Sequence, residues 1–194
     1  MSDLYKSTSL KFYDDKIVVE DSGSSYNGIE VMMSWEDPIM SASAAYVTQN
    51  GGDILELGFG MGISAGYMHS HSISSHTIIE NHPQIIPKAV EWASNKSNVT
   101  IVSQSWYDVK DSIGKFDGIF MDTFGDKSWP QFSSSLSSLG KSGTKVTFWN
   151  MLGSEVEDGL NIPNTTYQLI TGYDFVDGNG YYNTGSYYMP KVVL

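Results

Sequence analysis

Glu56 stands two residues ahead of three alternating glycines, Gly58, Gly60 and Gly62, at the end of the apolar run Asp53-Ile-Leu-Glu-Leu. A second short apolar run, Thr77-Ile-Ile-Glu80, ends in another acid. An apolar run that breaks into alternating glycines reads as a buried strand turning sharply into a helix, where missing side chains let a ligand approach the backbone. An acid about 20 residues on is placed to accept hydrogen bonds from both hydroxyls of a ribose. The alternative for Glu80 is a solvated acid at a strand end. The dinucleotide fingerprint needs its last glycine three residues after the second, and Ile63 stands there instead. The variant suits a smaller, cationic nucleoside better than a pyrophosphate, and S-adenosylmethionine is the leading candidate. Glu56 would hold the ammonium of such a ligand or cap the glycine turn.

A second set of residues is acidic. Glu36 lies in Val31-Met-Met-Ser-Trp-Glu-Asp-Pro38, and Asp122 in Met121-Asp-Thr-Phe124. Two carboxylates facing one cleft would bind a planar cation such as guanidinium through paired, charge-assisted hydrogen bonds. They could also take the proton that leaves as a nitrogen becomes a nucleophile. The structural alternatives are a helix N-terminal acid for Glu36 and a turn residue for Asp122. Trp106 and Tyr107 follow a third apolar run and could cover an adenine ring, or could belong to the core. His69, His71, His76 and His82 lack acidic partners at metal spacing and are expected at the surface, His82 near the adenosine. There is no Gly-x-Ser-x-Gly elbow and no phosphate-loop lysine, so hydrolase and nucleotide triphosphatase readings have no support.

These residues must be brought together by regular elements. Asp53–Leu57, Thr77–Glu80, Val99–Val102, Phe116–Met121 and Thr144–Asn150 read as strands. Helices are expected from Ile63 to His69, after Pro83 and Pro87, and over residues 131–139, where Phe132 and the leucines of a serine-rich patch have helical spacing. The alternation predicts a parallel sheet covered by helices, with ligands bound outside the carboxyl ends of the strands. Gly58, Glu80, Trp106, Asp122 and Asn150 all follow such ends. Thr165–Ile170 and Ser186–Leu194 read as late strands, with a hairpin between 172 and 185. Residues 1–30, with Phe12, Tyr13 and Ile17-Val-Val19 before a Gly/Ser turn, read as a hairpin or a lid, and residues 31–194 as the catalytic domain.

The 194 residues suit one domain. No apolar run approaches the roughly 20 residues of a membrane helix, and the N-terminus lacks a secretory pattern, so a cytoplasmic protein is expected. Cysteine is absent, which removes disulfides and thiolate chemistry. A net charge of −11 is a poor footprint for nucleic acid and tolerates a cationic ligand; solubility alone could also explain it.

Four blocks together resemble guanidinoacetate N-methyltransferase and the related enzymes that methylate the internal nitrogen of protein arginine: Val31–Met40, Ile54–Ile63, Ile78-Ile-Glu80 and Phe116–Thr123. The ending Tyr187-Tyr-Met-Pro190 is similar to the family's terminal strand. The resemblance implies a Rossmann-like class I methyltransferase fold, a doubly wound, mostly parallel seven-stranded sheet whose last strand is antiparallel. It implies that Phe59, Gly60, Met61, Gly62, Ile63 and Ser64, then Glu80, Asn81 and His82, then Trp106 and Tyr107 bind S-adenosylmethionine. Met32 and Met40 would line the same pocket. Glu36 and Asp122 would hold the acceptor's guanidinium, with Asp122 the likelier base and also at the cofactor. The region after the fifth strand is shorter than in the guanidinoacetate enzymes, and the first segment shows no clear match to the family's lid. The implied activity is N-methylation of a guanidino-containing small molecule, guanidinoacetate-like or arginine-like. The alternatives are a protein or peptide arginine methyltransferase and a non-catalytic S-adenosylmethionine-binding protein. No nucleic-acid or membrane partner is expected.

Overall fold

Apolar runs that alternate with helical segments can bury both faces of each strand only if helices cover the two sides of the sheet. The chain meets that requirement in the computed structural model, which describes residues 5–150, 160–171 and 186–194. Its elements in chain order are β1 (Leu10–Phe12), β2 (Lys16–Val19), β3 (Glu30–Met33), α1 (Asp37–Val47), β4 (Asp53–Leu57), α2 (Ile63–Ser70), β5 (Ser75–Ile79), α3 (Ile86–Ala93), β6 (Val99–Val102), α4 (Trp106–Val109), β7 (Phe116–Met121), α5 (Phe132–Leu139), β8 (Gly140–Phe148), β9 (Thr166–Thr171) and β10 (Ser186–Val193). Three form a small antiparallel sheet, β1-β2-β3, and seven form the main sheet in the order β6-β5-β4-β7-β8-β10-β9.

Neighbours from β6 through β8 run parallel, and β10 is antiparallel to both β8 and β9. The strand order reverses beside β4, between β5 and β7, which is where an open α/β sheet forms a ligand crevice. β4 alternates as a two-sided strand must. Ile54 joins the cluster under α1 and α2, while Leu55 and Leu57 join the opposite one under α4 and α5. All three are fully buried, each contributing about 1.5–3 kcal/mol by leaving water. The serine-rich segment folds as the amphipathic α5, with Phe132, Leu136 and Leu139 inward. In α3, Pro87 occupies the first turn, where its missing N–H costs nothing.

The last strand shows how the chain accommodates a proline inside a sheet. Pro190 pairs in register with Tyr167 of β9 and cannot donate to a ladder. On the other side its carbonyl accepts the Thr147 hydroxyl of β8 at 2.6 Å. The part of the 172–185 hairpin expectation that concerns its turn lies outside the described residues.

Glu30 begins β3, so the small N-terminal sheet takes its third strand from the segment that leads into Glu36. That sheet is joined to the main body through Gln84, whose Oε1 accepts from Leu10 N at 2.7 Å; ahead of β1, the short turn Tyr5–Ser7 packs the Tyr5 ring 4.8 Å from His82. Two of the four histidines expected at the surface are instead fully buried: His76 on β5 and His82 after it. His76 Nε2 lies 2.9 Å from Glu56, and His82 Nδ1 accepts from Gln84 N at 3.2 Å. Tertiary contacts, with Glu56 beside one ring and the Gln84 N–H on the other, enclose two residues whose polar type alone suggested the surface.

Candidate active site

The glycine turn after β4 is held open by the main chain. Gly58 has φ +92°, and a Cβ on it would meet the Asp122 carbonyl oxygen at 2.0 Å. Gly60 has φ +53°, and its Cβ would meet the Met32 sulfur at 2.4 Å. The Met61 N–H donates to that same sulfur at 3.1 Å, so β3 is seated on the loop. Gly62, also left-handed, precedes the first residue of α2.

Glu80 follows β5 and is buried. Its Oε2 accepts from Phe59 N at 3.0 Å, and its Oε1 from Asn81 N and His82 N, each at 2.8 Å. Burial pushes the Glu80 carboxyl above its ordinary range, and backbone N–H groups of His82, Phe59, Asn81 and Gly60 pull it back. Glu80 therefore ties the glycine turn to the next strand end as well as facing the crevice.

The crevice between these tips spans about 650 Å³ of empty space, part of it open solvent. Of the residues singled out in the sequence, Met32, Gly58, Phe59, Gly60, Ser64, Glu80, Asn81, Trp106 and Asp122 line it. Met61, Gly62, Ile63 and His82 do not line it. Met40, on the inward face of α1, is fully buried in the core and does not line the crevice. Tyr107 is exposed and lines an adjoining outer groove, which shares Asn81 and Asp126 with the crevice. Trp106 is mostly core, its Nε1 donating to Asp126 Oδ2 at 2.5 Å. Glu56 does not reach the crevice. It is fully buried below the loop, with one oxygen accepting from the Ser64 hydroxyl and the other beside His76.

The acidic residues do come together. Asp122 follows β7, its N–H donating to Leu57 O at 2.9 Å, and it keeps partial exposure to the crevice. Burial, then the charge of Glu56, pushes its carboxyl up to about 7. Glu36 ends a short 3-10 turn, Ser34–Glu36, and is buried, with Oε1 accepting from Met33 N at 3.0 Å. Its carboxyl is pushed well above the usual range by burial and by Asp122, against the pull of the Met33 N–H. Glu36 thus feels the charge of Asp122, while the charge that raises Asp122 is that of Glu56; Asp122 lines the crevice and Glu36 does not.

Tyr5 and Phe124 line the same crevice and were not singled out from the sequence. Their rings meet edge to face at 4.9 Å, and Tyr26 joins them at 5.6 Å from Phe124. No local periodicity marks Tyr5, because its partners lie far along the chain. Asp126 was likewise missed; its Oδ1 accepts from Ser128 N at 2.7 Å in an Asx-type turn.

The residues present fit a nucleoside with a small cationic group. The crevice lies at the strand-order reversal, its glycine wall brings backbone close, and an acid stands at the tip of the second parallel strand. Among the described residues, no group of three His, Asp or Glu could hold a metal ion, and no helix is long and apolar enough to cross a membrane. Fold and site together define a class I S-adenosylmethionine-dependent methyltransferase architecture. It is shared with spermidine synthase from Thermotoga maritima (TM-score 0.64, 13% identity, 95% of this chain and 72% of that one). N-methyltransferase NodS from Bradyrhizobium japonicum shares it too (TM-score 0.61, 12% identity, 81% and 94%).

The family model for guanidinoacetate N-methyltransferase matches residues 13–143, and the chain belongs to that family. Curated relatives include protein arginine N-methyltransferase 2 of Aspergillus oryzae, 32% identical over 183 residues, covering 89% of this chain and 42% of the relative. The protein of the same name from Saccharomyces cerevisiae is 27% identical over 222 residues, covering 98% and 53%. The chain thus spans about half the length of these relatives.

Proposed function

We propose that the protein transfers a methyl group from S-adenosylmethionine to a guanidino nitrogen, and that this guanidino group is the arginine side chain of a protein or peptide. The observation that carries the reading is a carboxyl at the crevice, Asp122, raised by burial, with the buried carboxyl of Glu36 close enough to feel its charge. A guanidinium presents coplanar N–H donors that two carboxylates accept together. An uncompensated pair of acids in such a position is costly, and a cation relieves that cost.

When bound, the cofactor supplies an electrophilic methyl group on a sulfonium. Gly58 to Ser64 and Glu80 would hold its nucleoside, and Trp106 would flank the base. Asp122 takes the proton from the reacting nitrogen, whose lone pair is otherwise delocalised over the cation. A carboxyl raised to about 7 is matched to that task near neutral pH. Glu36, anchored by the Met33 N–H, fixes the guanidinium plane. Holding nitrogen and donor in one orientation supplies much of the remaining rate. Glu56 acts from below, as a positioning group.

The relatives' name favours arginine in a protein over the small guanidino compound expected from sequence. The family model's name supports a small guanidino acceptor as the second reading. Labelled S-adenosylmethionine offered with guanidinoacetate, free arginine and an arginine-containing peptide separates them. Label is expected in the peptide's arginine. Label in guanidinoacetate alone shifts the assignment to the second reading. If no acceptor is labelled while the cofactor binds, the chain is a binding protein and the enzymatic reading fails.

A further inference from the structure

Two consecutive residues of β3 reach two different parts of the site. Met32 and Met33 are both buried, and Met32 lines the crevice while Met33 does not. The Met32 sulfur accepts from the Met61 N–H at 3.1 Å and stands against Gly60, where an added Cβ would collide with it. The bare Cα of Gly60 is what lets the thioether reach the loop. One residue on, the Met33 N–H donates to Glu36 Oε1 at 3.0 Å. That N–H belongs to the peptide unit attached directly to the Met32 Cα. The unit is planar and stiff, so a displacement of Met32 is carried to the group that anchors Glu36. Pairing with β2, Met32 opposite Ile17 and Met33 opposite Lys16, holds the strand from its other side.

We propose that Met32 is a positioning residue that couples the donor and acceptor halves of the site. Its thioether holds the glycine loop, the peptide unit after it holds Glu36, and filling of the crevice by cofactor is transmitted along β3 to the Glu36 carboxyl. The inference rests on reading Glu36 as an acceptor acid, and adds to that reading the link between the two ligands. Met32 and Gly60 line the crevice together, so a bound cofactor presses on the link at its loop end. Linkage is reciprocal: an acceptor held at Glu36 tightens the cofactor by the same factor. A leucine at this position fills similar space but offers the Met61 N–H no acceptor, which separates the role from packing.

The test is a proton–nitrogen NMR titration of the full chain with S-adenosylhomocysteine, read at the amides of Met61 and Met33. In the parent, both signals are expected to move in step as the crevice fills, although Met33 does not line it. In Met32→Leu at saturating S-adenosylhomocysteine, the Met61 signal moves and the Met33 signal stays near its cofactor-free position. Met32→Ile carries the same expectation should the leucine variant not fold. A Met33 signal that ignores the cofactor in the parent, or follows it equally in the variant, overturns the proposal. A role in packing alone lowers the melting temperature of the variant and leaves the Met33 response intact. The titration involves no acceptor, so its failure is separate from failure of the labelling experiment.

Discussion

Asp122 is the residue on which the chemistry turns, and burial rather than sequence neighbourhood gives it its character. A carboxyl raised to about 7 stays protonated across a range where an ordinary aspartate is ionised. Turnover should therefore rise with pH through about 7 as Asp122 loses its proton. Asp122→Asn should lower turnover by about 10²–10⁴-fold, while affinity for S-adenosylhomocysteine, measured by calorimetry, stays within a few-fold. A large loss of that affinity would contradict the acceptor role. Stability follows the same group with a definite sign. A carboxyl whose folded-state value is raised contributes stability below its unfolded value, near 4, and loses it as pH rises toward 7. Asp122→Asn should accordingly melt higher than the parent at pH about 8, with the gain shrinking toward pH about 4.

At the scale of elements, the site is a set of strand ends locked to one another by the main chain. The turn after β4 touches the end of β7 through Gly58, the end of β5 through Glu80, and β3 through Met32. Gly58→Ala places a Cβ 2.0 Å from a carbonyl oxygen at a φ that L-residues avoid. Backbone must move, and both Asp122 and the crevice wall move with it. The variant is expected to lose at least ~10-fold in S-adenosylhomocysteine affinity and most of its turnover, a cost of about 1.4 kcal/mol or more in binding. Affinity equal to the parent's would show that the turn is not the cofactor wall.

Across the whole molecule, 22 acidic residues against 11 basic give a field that attracts cations. For a cationic arginine peptide this field acts mainly on encounter, and salt screens it over about 10 Å at 0.1 M. Raising ionic strength should raise KM for a basic peptide several-fold and leave kcat nearly unchanged, whereas KM for a zwitterionic guanidino acid should change little. Steady-state kinetics at two salt concentrations measure both. The small β1-β2-β3 sheet belongs to this scale as well, since it seats Met32 on the glycine loop, while the turn ahead of it places Tyr5 at the crevice.

The parallel sheet and the glycine turn were legible in the sequence, as was an acid, Glu80, just past the second parallel strand. Each depends on local pattern: an apolar run, a left-handed turn that needs glycine, a polar residue just past a strand. The roles of Glu56 and His76 were not legible. One was expected to reach a ligand or cap the turn and the other to lie at the surface. Both are instead buried as partners, on adjacent strands and 20 positions apart along the chain. Met40 and Tyr107 were expected at the pocket, but helix phase turned one into the core and the other outward. No local pattern pairs Tyr5 with Phe124, far along the chain; their rings meet only in the folded molecule. Local physics determined which residues end the strands; only tertiary packing decided which side chains are desolvated together, and desolvation is what raises Asp122 into the range of a base.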